Sequence, residues 1–274
     1  MTDLVRRSLT GVAFVIVIVA GIILHPIAFA IIFAGMQFLM LKEFYSITQG
    51  EGIQPQKITG HITGLVLFAT LFSYVNGLAP VNLLFLIFPT LFLVFIAELY
   101  RGKGNSIANI AITIMGIIYI ALPFSLLNFL IFPGAPGNSE FSPGLLLGIF
   151  FILWTYDTIA YLFGMWLGKH RLFERISPKK SWEGVIGGGI FAIVAGILDS
   201  VIFQSPGLLS WVGIALIIVI FGTFGDLVES LMKRSLNIKD SGALLPGHGG
   251  ILDRFDSLLM AIPFIIAWLL IFNH

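Results

Sequence analysis

Acidic residues, basic residues and glycines are concentrated in one polar stretch between two long apolar segments, residues 226–257. Asp226 and Glu229 stand three residues apart, as do Asp253 and Asp256, so each pair lies on one face of a helix. Carboxylate oxygens are the ligands that Mg²⁺ prefers, and glycine lets backbone N–H groups approach phosphate oxygens. The stretch therefore predicts a phosphate and metal site, with the two acidic pairs as candidate oxygen ligands for Mg²⁺.

Capping is the alternative for the second acidic pair, because the first turn of a helix favours negative charge through its dipole. Capping does not need two aspartates, and it does not explain the matching acids at the end of the preceding apolar segment. His248 stands in a glycine turn between Gly247 and Gly249. Two roles are open for His248: it is a turn residue without chemistry, or it contacts phosphate or positions a proton.

Basic residues near the acids form two groups, one in the loop before the seventh apolar segment and one after the eighth: Lys179 and Lys180, then Lys233, Arg234 and Lys239. The alternative is ordinary cytoplasmic positive charge, or attraction to anionic lipid. A reaction between two phosphate-bearing anions needs cations to offset their repulsion. We therefore interpret both groups as phosphate-binding.

Composition places the whole chain in a membrane. Of its 274 residues, 58% are hydrophobic and 11% are charged, and the mean hydropathy is +1.01. Soluble domains carry about 25% charged residues. The absence of cysteine excludes disulfides, thiolate metal sites and a cysteine nucleophile.

Long apolar segments predict an all-α integral membrane protein with about nine transmembrane helices, since a span needs about 20 apolar residues. They lie near 8–24, 27–41, 58–76, 81–99, 107–132, 144–167, 184–203, 208–228 and 252–272. Only His25-Pro26 separates the first two, and the second can continue as a helix past Lys42. We divide the chain into an N-terminal region of about five spans, 1–143, and a catalytic region of about four spans, 144–274.

The positions of the charges predict the orientation in the bilayer. With a cytoplasmic N-terminus, every Lys and Arg falls on or beside a cytoplasmic segment, as the positive-inside rule requires. We expect a multi-pass protein of the inner cell membrane with an external C-terminus. The polar active site then lies at the cytoplasmic face.

Two further features fall within the spans. Asp157 lies well inside the sixth span, where an acid is costly and usually functional; Asp199, near the outer end of the seventh, is given no role. Small residues recur every four positions in the seventh span and favour close helix packing, with room for a lipid chain as the alternative: Gly184, Gly188, Ala192 and Gly196.

The polar stretch resembles the signature of the CDP-diacylglycerol synthases, also called phosphatidate cytidylyltransferases. The matching residues are Ser230, Lys233, Arg234, Lys239, Asp240, Gly242, Pro246, His248, Gly249, Gly250, Asp253, Arg254 and Asp256. Residues 177–184 resemble the loop that precedes this signature, and Asp157 matches an intramembrane aspartate of the family. The resemblance covers roughly the C-terminal half of the chain.

This resemblance implies a condensation of CTP with phosphatidate, a membrane lipid, to give CDP-diacylglycerol and pyrophosphate with Mg²⁺. A second cation of unknown identity is left open, a homo-oligomer is compatible with the sequence, and no nucleic acid is expected. The implied catalytic residues are Asp226, Asp253, Asp256, Lys233, Arg234 and His248, of which the first three are also the implied metal ligands. The implied substrate-binding residues are Lys179, Lys180, Ser230, Lys239, Asp240, Gly249, Gly250, Arg254 and Asp157.

Three other functions compete with this one. A secondary transporter for an organic anion also carries charges within spans, but it does not predict acids beside a glycine turn at one face. A CDP-alcohol phosphotransferase would carry a compact array that begins D-x-x-D-G, which this sequence lacks. The third alternative is a non-enzymatic lipid-binding or scaffold protein.

Overall fold

Helices make up most of the computed structural model, which describes residues 3–134, 140–242, 244 and 249–272. His248 lies outside the described residues. The helices are α1 (Asp3–Ile23), α2 (Pro26–Ile47), α3 (Lys57–Val75), α4 (Ile87–Arg101), α5 (Ser106–Gly116), α6 (Leu122–Ile131), α7 (Gly144–Leu167), α8 (Trp182–Phe203), α9 (Leu208–Ile217), α10 (Thr223–Ser235) and α11 (Leu252–Phe272). A 3₁₀ turn leads into α4, and π-helical turns join α5 to α6 and α9 to α10: Val81–Leu86, Ile117–Ala121 and Ile218–Gly222.

Within the described residues, eight helical segments are long and apolar enough to cross a membrane: Pro26–Ile47, Lys57–Val75, Val81–Arg101, Ser106–Ile131, Gly144–Leu167, Trp182–Phe203, Leu208–Ser235 and Leu252–Phe272. Helix α1 adds the shorter apolar stretch Leu9–Ile23. These nine segments coincide with the nine predicted spans, so the all-α, multi-pass membrane class is confirmed. The orientation of the termini stays a prediction.

Local chemistry sets several helix ends where the sequence predicts them. His25 accepts a hydrogen bond from the backbone N–H of Ile27 at 3.2 Å, and Pro26 occupies the first helical position, where its missing N–H costs nothing. Helix α2 continues past Lys42 to Ile47, as its sequence allowed. The Ser181 hydroxyl caps α8 by accepting from Gly184 N–H at 3.2 Å.

Contacts group the chain into two compact units. Unit 1 comprises Met1–Ser142 and Asp240–Arg254, and unit 2 comprises Pro143–Lys239 and Phe255–His274. The polar stretch 226–257 is therefore divided between the units. Its middle part belongs with the N-terminal helices, and both of its ends belong with the C-terminal ones.

A buried carboxylate organises part of unit 1. Glu98 on α4 is only 4% exposed. Its Oε2 accepts from Gln56 Nε2 at 2.8 Å and from Arg101 Nη1 at 3.0 Å, and its Oε1 accepts from Asn109 Nδ2 at 2.6 Å. A buried charge is tolerated when it is paired and hydrogen-bonded in this way. Glu98 thereby ties α4 to α5 and to the segment that precedes α3.

Close backbone approach joins the helices of unit 2. A Cβ added at Gly184 would lie 2.7 Å from the Ala160 carbonyl oxygen of α7, and one at Gly196 would lie 2.9 Å from the Trp211 carbonyl oxygen of α9. The small residues of α8 therefore let it pack against both neighbours, which confirms the packing interpretation.

The loop between α7 and α8 contains a hairpin that the sequence analysis did not predict. Strands β1 (Arg171–Phe173) and β2 (Ser177–Ser181) pair in antiparallel fashion, with Arg171 opposite Ser181. The Glu183 carboxylate accepts from the His170 ring Nδ1 at 2.6 Å and ties the loop before β1 to the first turn of α8. Lys179 and Lys180 therefore lie on a strand that leads directly into α8.

Candidate active site

Three aspartates and one lysine of unit 2 form a group that we term the carboxylate cluster: Asp157 on α7, Lys180 on β2, Asp226 on α10 and Asp256 on α11. The Asp256 carboxyl interacts electrostatically with the other three side chains. Lys180 Nζ lies 2.7 Å from Asp226 Oδ2. The three carboxyl groups supply oxygen atoms, the kind of ligand that a hard divalent cation prefers.

Hydroxyl and carbonyl groups position the lysine of this cluster. Lys180 Nζ donates to the Thr223 carbonyl oxygen at 3.5 Å in addition to its ion pair. The Thr223 hydroxyl donates to the Val219 carbonyl oxygen at 2.6 Å and hydrogen-bonds with the Tyr156 hydroxyl. Thr223 is the first residue of α10, directly after the π-helical turn, so this irregular turn helps to fix the ammonium beside Asp226.

Gly225 brings α10 against α11. A Cβ at this position would lie 2.5 Å from the Asp256 carbonyl oxygen, 2.9 Å from Met260 Cβ and 3.0 Å from Ser257 Cα. Real side chains do not approach backbone atoms so closely, so only glycine fits here without a shift of one helix. This contact places Asp226, the next residue, beside the helix that carries Asp256.

We predict that Gly225→Ala separates α10 from α11 and impairs folding and function together. Overpacking of this kind costs about 1–3 kcal/mol, so the thermal unfolding midpoint in detergent should fall. Gly222→Ala is the matched control, because its added Cβ would lie 3.6 Å from the nearest neighbouring atom, Ser257 Cβ. Equal unfolding midpoints for the two variants would contradict the proposed close contact.

The other predicted site residues differ in their contacts and in their exposure. Ser230 Oγ donates to Asp226 Oδ1 at 3.3 Å and supports the cluster. Lys233 forms an ion pair with Glu229 one turn earlier, and both side chains are largely buried. Six of the predicted site residues are exposed: Lys179, Arg234, Lys239, Asp240, Asp157 and Arg254. The first three leave positive charge accessible to an anionic substrate.

The part of the polar stretch that belongs to unit 1, residues 240–254, is termed the signature loop. Its Asp253 Oδ2 accepts from the backbone N–H groups of Ser241, at 3.0 Å, and Gly250, at 2.8 Å. Gly249 has φ +83°, and a Cβ there would lie 2.7 Å from Asp253 Oδ2, so glycine is required at this turn. Asp253 thus stabilises its own loop in this structure. The N–H of Gly250, a residue predicted to bind substrate, donates to the Asp253 carboxylate.

Glu43 on α2 is a contributor that the sequence analysis missed. Its Oε1 accepts from the Ile251 N–H at 3.0 Å, and its Oε2 accepts from the Leu252 N–H at 2.9 Å and lies 3.4 Å from Ser241 Oγ. Leu252 begins α11, so Glu43 caps a helix that is distant in sequence. The sequence did contain a signal, because Glu43 is an acid near the end of a predicted span. The sequence analysis assigned a role only to its neighbour Lys42, as a positive charge at the cytoplasmic side.

The predicted metal ligands thus fall in both units, with Asp253 in unit 1 and Asp226 and Asp256 in unit 2. Across the described ranges of the chain, no three acidic or histidine side chains form one group that could hold a metal ion. Joint metal binding by these three aspartates stays a prediction. Arg254 has an exposed side chain, and its backbone N–H donates to the Ile251 carbonyl at 3.0 Å within the same loop.

Comparison with known proteins extends the resemblance over the whole chain. The sequence model of the Cytidylyltransferase family matches residues 5–272. The chain is 30% identical over 275 residues to phosphatidate cytidylyltransferase of Bacillus subtilis (strain 168), covering 100% of both chains. It is 32% identical over 267 residues to the protein of the same name from Staphylococcus saprophyticus, covering 94% of this chain and 95% of that protein.

The similarity is higher over a shorter part of the chain. Phosphatidate cytidylyltransferase of Staphylococcus aureus (strain COL) is 50% identical over 116 residues. This match spans 42% of the present chain and 44% of that relative. None of these similarities supports the secondary-transporter alternative.

Proposed function

This chain belongs to the Cytidylyltransferase family, and we propose that it condenses CTP with phosphatidate to give CDP-diacylglycerol and pyrophosphate. The carboxylate cluster is the observation that carries the proposal. One ion pair and electrostatic interactions connect three acids and a lysine from three helices and one strand, and acids within membrane helices are usually functional. A nucleotide from water and a lipid from the bilayer can both reach a polar site at a membrane surface.

The proposed reaction needs no general base, because the attacking oxygen is already an anion. An anionic phosphate oxygen of phosphatidate attacks the α-phosphorus of CTP and forms a new P–O bond. The bond from the α-phosphorus to the bridging oxygen breaks, and its electron pair leaves with pyrophosphate. Lys180, fixed between Asp226 and the Thr223 carbonyl, is placed to orient a phosphate and offset charge in the transition state. Lys179, Arg234 and Lys239 supply exposed positive charge for the incoming anions.

The carboxylate oxygens of Asp226 and Asp256 are donors of the kind that Mg²⁺ prefers, and we propose that these two residues would hold the ion. Asp226 Oδ2 faces Lys180 and its Oδ1 accepts from Ser230, while Asp256 Oδ1 accepts from the Ser257 N–H at 2.7 Å. Such an ion would neutralise phosphate charge and orient the leaving group. We propose that Asp253 contributes as a third ligand and leave the second cation as an open proposal.

The cell membrane is the proposed location, because the chain has multiple membrane-length helices and its full-length relatives are bacterial. A cytoplasmic N-terminus and an external C-terminus are proposed from the placement of every Lys and Arg. Under this orientation the cluster faces the compartment that holds CTP.

One assay tests the reaction directly. Purified protein in detergent, given phosphatidate, CTP and Mg²⁺, should release pyrophosphate and form CDP-lipid in equal amounts. Omission of phosphatidate should stop pyrophosphate release, which separates the transferase from a simple nucleotide hydrolase. Absence of CDP-lipid from folded protein under these conditions would overturn the proposal.

We predict different kinetic effects for the two adjacent lysines. Lys179→Ala removes an exposed phosphate contact and should raise KM roughly tenfold with little change in kcat. Lys180→Ala should lower kcat as well, because it leaves Asp226 without its ion-pair partner. Identical steady-state kinetics for both variants and the wild type would show that these residues only determine membrane topology.

A further inference from the structure

We infer that Glu43 is a positioning residue, which holds the signature loop in register with the start of α11 and acts on turnover through Asp253. The catalytic part of this inference rests on the proposed function. Its structural part rests on contacts within unit 1 alone.

The first argument is the geometry of the carboxylate. Two adjacent backbone N–H groups, of Ile251 and Leu252, approach different oxygens of Glu43 at 3.0 and 2.9 Å. Both N–H groups are at the start of α11, where no partner within the helix is available. The helix dipole also favours a negative group at this end. Glu43 therefore satisfies two donors that the loop itself leaves unpaired.

The second argument is that the sequence of the loop leaves space for this carboxylate. A Cβ at Gly242 would lie 2.6 Å from Glu43 Oε1, and its three nearest atoms all belong to Glu43. A Cβ at Gly250 would lie 2.2 Å from Ser241 Oγ and 2.5 Å from Glu43 Oε2. Neither glycine has a positive φ, so close neighbours, and not the backbone conformation, account for the missing side chain. At Gly242 these neighbours are atoms of Glu43 alone, and at Gly250 they are Glu43 together with Ser241.

The third argument connects Glu43 to Asp253. Ser241 contacts both acids, because its N–H donates to Asp253 at 3.0 Å and its Oγ lies 3.4 Å from Glu43 Oε2. Gly250, which also donates to Asp253, directly precedes the two residues that Glu43 binds. The two carboxylates therefore hold opposite sides of one turn, and loss of Glu43 would release the turn that orients Asp253.

Glu43→Gln is the decisive variant. An amide offers one oxygen and one NH₂ group, so it cannot accept from Ile251 and Leu252 on separate atoms, and one N–H would face another donor. We expect the amides of residues 241 and 250–252 to exchange hydrogen at least about tenfold faster, as for loss of a charged hydrogen bond. CDP-lipid synthesis should fall, and half-maximal activity should need more Mg²⁺.

Glu98→Gln is the matched control for general destabilisation. Glu98 is also a glutamate of unit 1 that accepts hydrogen bonds on both oxygens, but its partners Gln56, Arg101 and Asn109 lie outside the signature loop. The Glu98→Gln variant should have a lower unfolding midpoint. It should not selectively change hydrogen exchange in the signature loop or the Mg²⁺ concentration needed for half-maximal activity. Selective effects of equal size in Glu98→Gln would overturn the inference.

A double-mutant cycle gives a second test. Gly242→Ala should impair the wild type, because its methyl group displaces the Glu43 carboxylate, whereas Glu43→Ala creates room for that methyl group. The combined variant should therefore lose less than the sum of the single losses.

Unchanged loop exchange in folded Glu43→Gln, or strict additivity in the cycle, would overturn the inference. A wild-type protein that makes no CDP-lipid would instead refute the proposed function. The exchange measurement would still decide the role of Glu43 in that case.

Discussion

Replacement of Asp253 by Asn is expected to abolish CDP-lipid synthesis while the protein still folds and inserts into the membrane. Asn keeps the size of the side chain and one oxygen, but it loses the charge on which a hard divalent cation depends. Asp253 Oδ2 accepts the shorter hydrogen bonds, from Ser241 and Gly250 at 3.0 and 2.8 Å, and Oδ1 accepts only a longer one from Ser241, at 3.3 Å. An Asn oxygen in the Oδ2 position keeps the two shorter bonds, so the signature loop should stay ordered.

The same substitution distinguishes a metal ligand from a loop cap. Asp and Asn are near equals as helix caps, so a purely structural Asp253 would tolerate the change. Synthesis should be measured over a range of Mg²⁺ concentrations, with partial recovery at high Mg²⁺ as the expected result. Near-normal synthesis by folded Asp253→Asn protein would refute the role of Asp253 in metal binding.

Asp226→Asn should reduce turnover by roughly 10²–10³-fold or more, the effect usual for loss of one fixed electrostatic contact to a transition state. The variant loses the negative partner of Lys180 Nζ, which lies 2.7 Å from Asp226 Oδ2. It also removes one of the acids that interact electrostatically with Asp256. Both changes weaken cation binding and release the lysine from its position.

Asp199→Asn is the matched control for this second prediction. Asp199 belongs to the same unit and is only 1% exposed, and among the described residues its Oδ2 has no hydrogen-bond partner. It lies in the last turn of α8, roughly 25 Å along the helix from Ser181. Turnover by Asp199→Asn should stay near the wild-type value. Equal losses in the two variants would indicate that loss of any carboxyl group from these helices, and not loss of one from the carboxylate cluster, limits activity.

Local patterns in the sequence were sufficient to predict the helices. Membrane spans are recognisable because the bilayer requires about 20 apolar residues in each, and the nine predicted segments coincide with helices. His25-Pro26 marked the turn before α2 for an equally local reason, since a capping side chain and a first-turn proline act within a few residues. The family resemblance depended on residue types at fixed spacing, which are also present in the sequence itself.

Pairwise partners of the charged residues were less predictable. The sequence analysis assigned Lys233 to phosphate binding, whereas the structure pairs it with Glu229 four residues earlier. That i,i+4 spacing was visible in the sequence, but so was the excess of nearby cations, and spacing alone does not say which carboxylate each cation meets. The β1–β2 hairpin was missed because its three- and five-residue strands carry no long alternating pattern.

Tertiary structure alone decided how the polar stretch is divided and what holds it. Glu43 binds Ile251 and Leu252 across more than 200 residues, and Gly225 meets the backbone of Asp256 across 31 positions of chain. Such contacts leave no periodic signal, because they depend on which helices become neighbours after the chain has folded. Hydropathy determined that the acids and glycines lie next to membrane spans, whereas helix packing determined which carboxylate accepts which N–H and which aspartate faces Lys180.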